Sequence, residues 1–360
     1  MLRNGEKYSS QIKFHVLKLI VCLSFILLLS SCSYNNTSNN QLYEKNIITM
    51  DTPMDLKAYG PNAQKAVDES VKKLYQLNDM ASTTVNSSDI MKINNASGKS
   101  YVKVNPEIIK MIKLSQKYSK ISNGKWDITV GPIVNLWGIG TDKARLPSDS
   151  EIKSKLPLVG YDKIKIDEKN SSVMLTQPGM AIDLGGIAKG FAADEVLKIY
   201  KKYNIKNGLI DLGSSSIYAV GKNESNSPWG IGIKNPRGDD MLGIVKLSNE
   251  GLSTSGDYER YFIKNGKRYH HILNPATGYP VDNGVMSVTV IVDNNISDSN
   301  TTADIMSLLV FELGPKEGIN LVNKTPGISC EVTTKDNKVY TSSKFKAKFS
   351  DLNKSFKIAN

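Results

Sequence analysis

Ala181-Ile182-Asp183-Leu184-Gly185-Gly186-Ile187-Ala188-Lys189-Gly190 is the stretch from which the rest of the chain is best read. Its apolar start predicts a strand ending in an acid. The glycine pair predicts a turn, and 187–203 a helix with Lys189 in its first turn. Glycine lets a backbone approach a ligand closely. A helix N-terminus offers free N–H groups and partial positive charge, which suits a phosphate. The spacing is neither Gly-x4-Gly-Lys-Ser/Thr nor Gly-x-Gly-x-x-Gly. The same residues also fit a tight strand-to-helix turn with a surface lysine.

Outward from this turn, helices and strands mix without a regular alternation. Apolar spacing predicts helices over 62–77, from an Asn105 cap to Tyr118, from Ser148 to Leu156, over 299–313 and over 315–322. Strands are expected over 46–59, 161–166, 171–176, 328–334 and 338–341, with several short ones between 207 and 292. This pattern indicates an α+β fold of mixed sheets with packed helices rather than a doubly wound sheet. The expected organisation is one domain over 43–345, of one piece or two subdomains, and a C-terminal tail over 346–360.

The chain has 360 residues, 40% hydrophobic and 22% charged, as a folded globular protein does. Its net charge is +11, of which the first 31 residues hold Arg3, Lys7, Lys13 and Lys18 against Glu6. No basic run stands out, so no nucleic-acid partner is indicated. After Lys18, an apolar run to Leu29 is too short to span a bilayer. Ser30-Ser31-Cys32 follows, completing a secretory leader pattern. Leu29-Ser30-Ser31-Cys32 resembles a bacterial lipobox, which implies cleavage before a lipidated Cys32 and a domain on the extracytoplasmic face of the membrane. An uncleaved N-terminal anchor is the alternative. Residues 33–41 are polar and read as a tether. Of the three cysteines only Cys330 then remains, in a predicted strand, as a buried thiol.

Four further stretches carry chemistry. His270-His271 precedes Asn274-Pro275-Ala276-Thr277-Gly278, a rigid turn. Adjacent residues on a strand face opposite ways, so one histidine serves a site, or the pair is structural. Thr302-Ala303-Asp304-Ile305-Met306-Ser307-Leu308 lies in a helix apolar nearly all round. A carboxylate buried there needs a partner: a magnesium ion, a salt bridge or a cap. Thr254-Ser255-Gly256-Asp257-Tyr258 and Gly124-Lys125-Trp126-Asp127 set small or aromatic residues beside acids. Such sequences suit a flat ring and are also ordinary turns.

Together, Asp-Leu-Gly-Gly-Ile-Ala-Lys-Gly at 183–190, Thr-Ser-Gly-Asp-Tyr at 254–258, His-Ile-x-Asn-Pro-x-Thr-Gly at 271–278 and Ala-Asp at 303–304 resemble, in order and spacing, the ApbE family. The resemblance runs from about Asn46 to Thr341. It implies an FAD:protein FMN transferase, which cuts the FAD diphosphate, joins FMN to a Thr or Ser hydroxyl of an acceptor redox protein and releases AMP. It further implies Mg²⁺ held by Asp304 and the Gly186 carbonyl, and FAD contacts from Met50, Trp126, Asp127, Asp183, Lys189 and Ser255. His271 matches the histidine that activates the acceptor hydroxyl. The sequence departs from the pattern twice. Leu308 stands where the family has a metal-binding Thr, which makes Ser307, on the same helix face, the substitute ligand. Thr84 stands where an aromatic is usual. Hydrolysis of FAD to FMN and AMP, or flavin binding without catalysis, are the alternatives.

Overall fold

Residues 41–359 are described by a computed structural model. The leader, Cys32 and most of the tether lie outside the described residues. The chain opens with β1 (Leu42–Thr49) and β2 (Thr52–Tyr59), then α1 (Ala63–Ala81), α2 (Asp89–Asn95), β3 (Val102–Lys103) and α3 (Pro106–Ile121). Next come α4 (Gly131–Trp137), α5 (Asp149–Lys155), β4 (Ile164–Asp167), β5 (Ser172–Leu175) and α6 (Ala188–Lys202). A strand-rich stretch follows: β6 (Gly208–Leu212), β7 (Ser216–Val220), β8 (Trp229–Lys234), β9 (Met241–Leu247), β10 (Glu250–Gly256), β11 (Tyr261–Lys264), β12 (Lys267–His270) and β13 (Val285–Asp293). The chain closes with α7 (Ser299–Asn323), β14 (Ile328–Thr334), β15 (Lys338–Thr341), α8 (Ser343–Lys346), β16 (Phe349–Ser350) and β17 (Lys357–Ala359).

The sheet that organises the molecule has nine strands in the order β1-β2-β6-β7-β10-β13-β14-β15-β17. Only β15 and β17 run parallel. Period-2 alternation gives each central strand two buried faces. On β13, Val288, Val290 and Val292 pack under α7 with Ala303, Met306 and Val310. On the other face Ile291 joins Ile231, Val245 and Phe345, beneath the small sheet β16-β9-β8. Helices α1, α3 and α6 share a separate core with β2 and β6. The fold is α+β, as expected.

Local signals act as the sequence suggests in most places. The Asn105 side chain accepts the Glu107 N–H and starts α3, and Ser148 with Glu151 forms a capping box on α5. Helix α7 bends at Gly314, where φ is +77°, and Pro315 follows, so the two predicted helices are two arms of one kinked element.

Two expectations are corrected. Residues 181–183 are extended but form no strand. The Asn94 side chain stands in for a neighbouring strand, accepting the Ile182 N–H at 2.8 Å and donating to its carbonyl at 3.0 Å. Residues 346–359 are no loose tail. β16 pairs with β9, β17 with β15, and Phe356 is buried between them, so the domain runs to the last described residue. Its short strands and many lysines hide this in the sequence. Cys330 is buried on β14, as anticipated.

Candidate active site

The site forms where the start of α6 meets the first turns of α7. Gly190 is the third residue of α6. Its N–H donates to Asp304 Oδ2 at 2.6 Å, while the Ser216 hydroxyl at the head of β7 donates to Oδ1 at 2.6 Å. Asp304 is 5% exposed, so this carboxylate depends on those donors. Burial pushes its pKa up, and the Lys189 charge is the largest influence opposing that. Lys189 itself bonds to the Ser215 hydroxyl.

The register of α7 is set from α6. Asp194 accepts from the Asn300 and Thr301 N–H groups, at 3.1 and 2.9 Å, and from both of their side chains. These are the free donors of the α7 N-terminus, so one buried acid caps the helix that carries Asp304.

One turn further, the Ser307 hydroxyl lies 2.7 Å from that of Ser255 and 3.5 Å from that of Ser253, and it donates to the Asp304 carbonyl at 2.9 Å. Ser253 and Ser255 share the face of β10 turned to α7, as their spacing of two requires. Ser307 therefore sits in the cluster with its hydroxyl already engaged. The residue that faces the glycine turn is Leu308: a Cβ on Gly186 would lie 2.7 Å from Leu308 Cδ1 and 2.8 Å from the Trp126 ring. The indole N–H of Trp126 is buried without an acceptor.

Asp183 precedes this turn. Its Oδ1 accepts the Gly185 N–H at 2.7 Å, and its own N–H reaches the Ile128 carbonyl at 2.8 Å, which ties the glycine turn to the Trp126 segment. Burial raises the Asp183 pKa, with Arg260 acting against it. Asp127 also has a structural task. Its carboxylate accepts from the Thr129 N–H and hydroxyl, at 2.8 and 2.7 Å, and from the Tyr161 N–H at 2.8 Å. It caps a short helical turn and shapes the Trp126 loop.

Met50 occupies the β1–β2 turn with φ +50°, beside Asp51 at +56°. Its N–H donates to the Asn78 side chain. Thr52, next in this turn, packs against Gly213, whose loop carries Ser215.

His270 and His271 face opposite ways. His270 is buried and bonds to the Val281 carbonyl at 2.8 Å. His271 is half-buried, and its Nδ1 lies 3.3 Å from the Arg260 carbonyl. A carbonyl only accepts, so that contact places the proton on Nδ1 and leaves Nε2 with a free lone pair. Burial, then the neighbouring His270 and Arg260, push the His271 pKa down to about 4, so the ring is neutral at neutral pH. The turn behind it is held by Trp137, whose Nε1–H donates to the Gly278 carbonyl at 2.8 Å, and by Asn274 bonded to Glu312 of α7.

A cleft of about 280 Å³ opens beside Asp183, reaching Thr83, Asn94 and Asn135. Thr84, next to the lining residue Thr83, is exposed. A larger hollow of about 440 Å³ lies behind the β11–β12 hairpin and includes neither Asp304 nor Lys189. The structure therefore gathers Asp304, Lys189, Gly186, Trp126, Ser255 and Ser307, with Asp183 heading the glycine turn and His271 tied to Arg260. Sequence reasoning missed Ser215, Ser216, Ser253 and Asp194. A serine run after Gly213 reads as a plain turn, and nothing local reveals that β7 lies beside β10.

The ApbE family profile matches residues 50–332. An FAD:protein FMN transferase of Klebsiella pneumoniae (strain 342) is 32% identical over 327 residues, which cover 89% of this chain and 98% of that one. The crystal structure of the ApbE protein from Thermotoga maritima is similar at TM-score 0.78 and 33% identity, covering 86% of this chain and 100% of that one. The flavin transferase ApbE from Vibrio cholerae gives 0.75 and 27%, over 85% and 99%. With its glycine-turn helix joined to the buried acid of α7 and its histidine turn in the matching order, this chain belongs to the ApbE family.

Proposed function

We propose that this chain transfers FMN from FAD to a Ser or Thr hydroxyl of an acceptor protein, with release of AMP. One observation carries the reading: the Gly190 N–H meets Asp304 at 2.6 Å. A phosphate-suited helix start and a buried acid on an apolar helix therefore share one site. The known activity of relatives named FAD:protein FMN transferase supports the same reaction.

Magnesium fits the residues present. Asp304 keeps lone pairs beyond its two donors, serine hydroxyls surround it, and its neighbours are hard oxygens. No group of three His, Cys, Asp or Glu side chains converges among the described residues. That suits an ion which retains several waters and takes oxygens from its substrate. Asp304 and the Gly186 carbonyl would hold it, and Ser307 would join through a lone pair of the oxygen whose proton goes to the Asp304 carbonyl. When bound, the ion neutralises charge on the diphosphate.

The chain's own groups supply the rest. Lys189 and the α6 N-terminus attract the phosphates. Trp126 offers an apolar wall beside Gly186. His271 Nε2 accepts the proton of the acceptor hydroxyl as its oxygen attacks the FMN phosphorus. The test is incubation with FAD, Mg²⁺ and an acceptor redox protein, followed by mass spectrometry of the acceptor. Covalent FMN on a Ser or Thr is expected. Free FMN and AMP alone would mean hydrolysis, and intact bound FAD would mean binding without catalysis.

We also infer that Cys32 carries lipid and holds the domain on the extracytoplasmic membrane face. The basic, apolar and small-residue order before it supports this. Cys32→Ala should abolish labelling by a radioactive fatty acid and release the protein from membranes.

A further inference from the structure

Arg260 stands apart from the other arginines. Among the described residues, Arg145 pairs with Glu151, Arg237 is locked onto Asp257 at 2.6 Å, and Arg268 lies 3.7 Å over the Tyr261 ring. Arg260 has no such partner. It is exposed, yet it is not loose. Its carbonyl accepts the His271 N–H at 3.1 Å and meets His271 Nδ1 at 3.3 Å, so this backbone is fixed to the histidine. Its stem rests on Gly140, where φ is +89° and a Cβ would come within 2.9 Å of Arg260 Cδ. The turn after Trp137 is thus shaped to seat an arginine stem. The backbone tie places Arg260 next to His271, and its charge opposes the rise that burial gives the Asp183 pKa.

We propose that Arg260 is a further substrate-binding residue, a guanidinium fork that grips the diphosphate of the dinucleotide from the wall of His271. This rests on the transfer reading. Lys189 approaches the same site from α6, so cations from two elements flank one dianionic bridge. In the reaction the acceptor oxygen bonds to the FMN phosphorus and its proton passes to His271 Nε2. The bond from that phosphorus to the bridging oxygen breaks, and the oxygen leaves with the electron pair as part of AMP. A planar fork donates two parallel N–H groups to phosphate oxygens, so it holds the bridge and stabilises charge gathering on the leaving phosphate.

The test measures calorimetric affinities of the full mature chain, with Mg²⁺ present, for ADP and for adenosine. Wild type, Arg260→Lys and Arg260→Gln are compared. Gln is expected to weaken ADP binding about tenfold or more, Lys by less, and neither to alter adenosine binding. The melting temperature should hold, because Cβ and Cγ of the stem are kept and the His271 contact is made by backbone. Nuclear magnetic resonance titration should show the His271 imidazole pKa rising in Arg260→Gln as a repelling charge is lost. Equal ADP affinity in wild type and Arg260→Gln would overturn the proposal, as would an equal loss for ADP and adenosine. These readouts do not depend on turnover. Wild type that binds ADP yet never labels an acceptor would refute the transfer reading and leave the Arg260 grip standing.

Discussion

Replacing Gly190 by alanine sets two effects of opposite sign against each other. Inside a helix, alanine is favoured over glycine by about 1 kcal/mol. Here, however, the added Cβ would lie 2.3 Å from the Asn300 carbonyl oxygen, 2.7 Å from its carbon and 2.9 Å from Asp304 Cγ. Two of these atoms are backbone of a helix start that Asp194 holds in place. Relief therefore requires α6 and α7 to separate by roughly 1 Å, since carbon contacts are comfortable near 3.5 Å. Overpacking of this kind costs about 1–3 kcal/mol. Separation also stretches the Gly190 N–H bond to Asp304, a bond to a charged group that contributes about 1.5–3 kcal/mol. The collision wins, by roughly 1.5–5 kcal/mol after the helix gain is subtracted. At about 2–4 °C per kcal/mol, the melting temperature should drop by roughly 10 °C. A displacement near 1 Å at the carboxylate should slow transfer about a hundredfold. Calorimetric melting and single-turnover labelling of an acceptor at saturating FAD would read both. An alanine variant melting within about 2 °C of wild type and labelling within about threefold would refute the close approach of these helices.

Three other perturbations have defined outcomes. His271→Ala should slow labelling about a hundredfold or more, and in wild type the acid limb of the rate profile should break near pH 4 instead of 6.5, because the ring stays neutral down to that value. Glu331 is wholly buried on β14, and desolvation raises its pKa to about 7. A raised carboxyl pKa means the fold favours the protonated form, so its contribution is complete below about pH 4.5 and is lost as pH climbs through 7. Glu331→Gln should accordingly raise the melting temperature at pH 8 and change it little at pH 4.5; an equal effect at both would contradict this. Ser307→Ala removes a hydroxyl shared with Ser255 and the Asp304 carbonyl. A magnesium titration of labelling should shift to weaker affinity, and an unchanged midpoint would show that Ser307 takes no part in holding the ion.

Much of this architecture is legible in local chemistry. An acid inside a helix that is apolar all round marks itself, because burial without partners is too costly, and Asp304 is found that way. The helix starts at Asn105 and Ser148 carry their caps in the sequence. What stays hidden is set by pairing across distance. Ser216 and Ser253 reach Asp304 and Ser307 only because β7 lies beside β10, which no local spacing announces. Asp194 looks like an ordinary mid-helix acid until α7 docks its first turn onto it. The expected strand at 181–183 fails because a single asparagine amide replaces the partner strand that periodicity presumes. The capping bonds of Asp127 are hidden too, because a carboxylate in a Gly-rich loop suits a ligand as well as it suits a cap.

The order of the nine-stranded sheet puts its first and last strands, β1 and β17, at opposite rims. With eight gaps of about 4.8 Å, those rims stand roughly 40 Å apart. Fusing the end of β17 to the start of β1, to open the chain elsewhere, would need a bridge of about 12 extended residues or more. Short linkers would tear one rim strand away. A reporter fused behind residue 360 would stand well clear of anything gripping the molecule through its first strand.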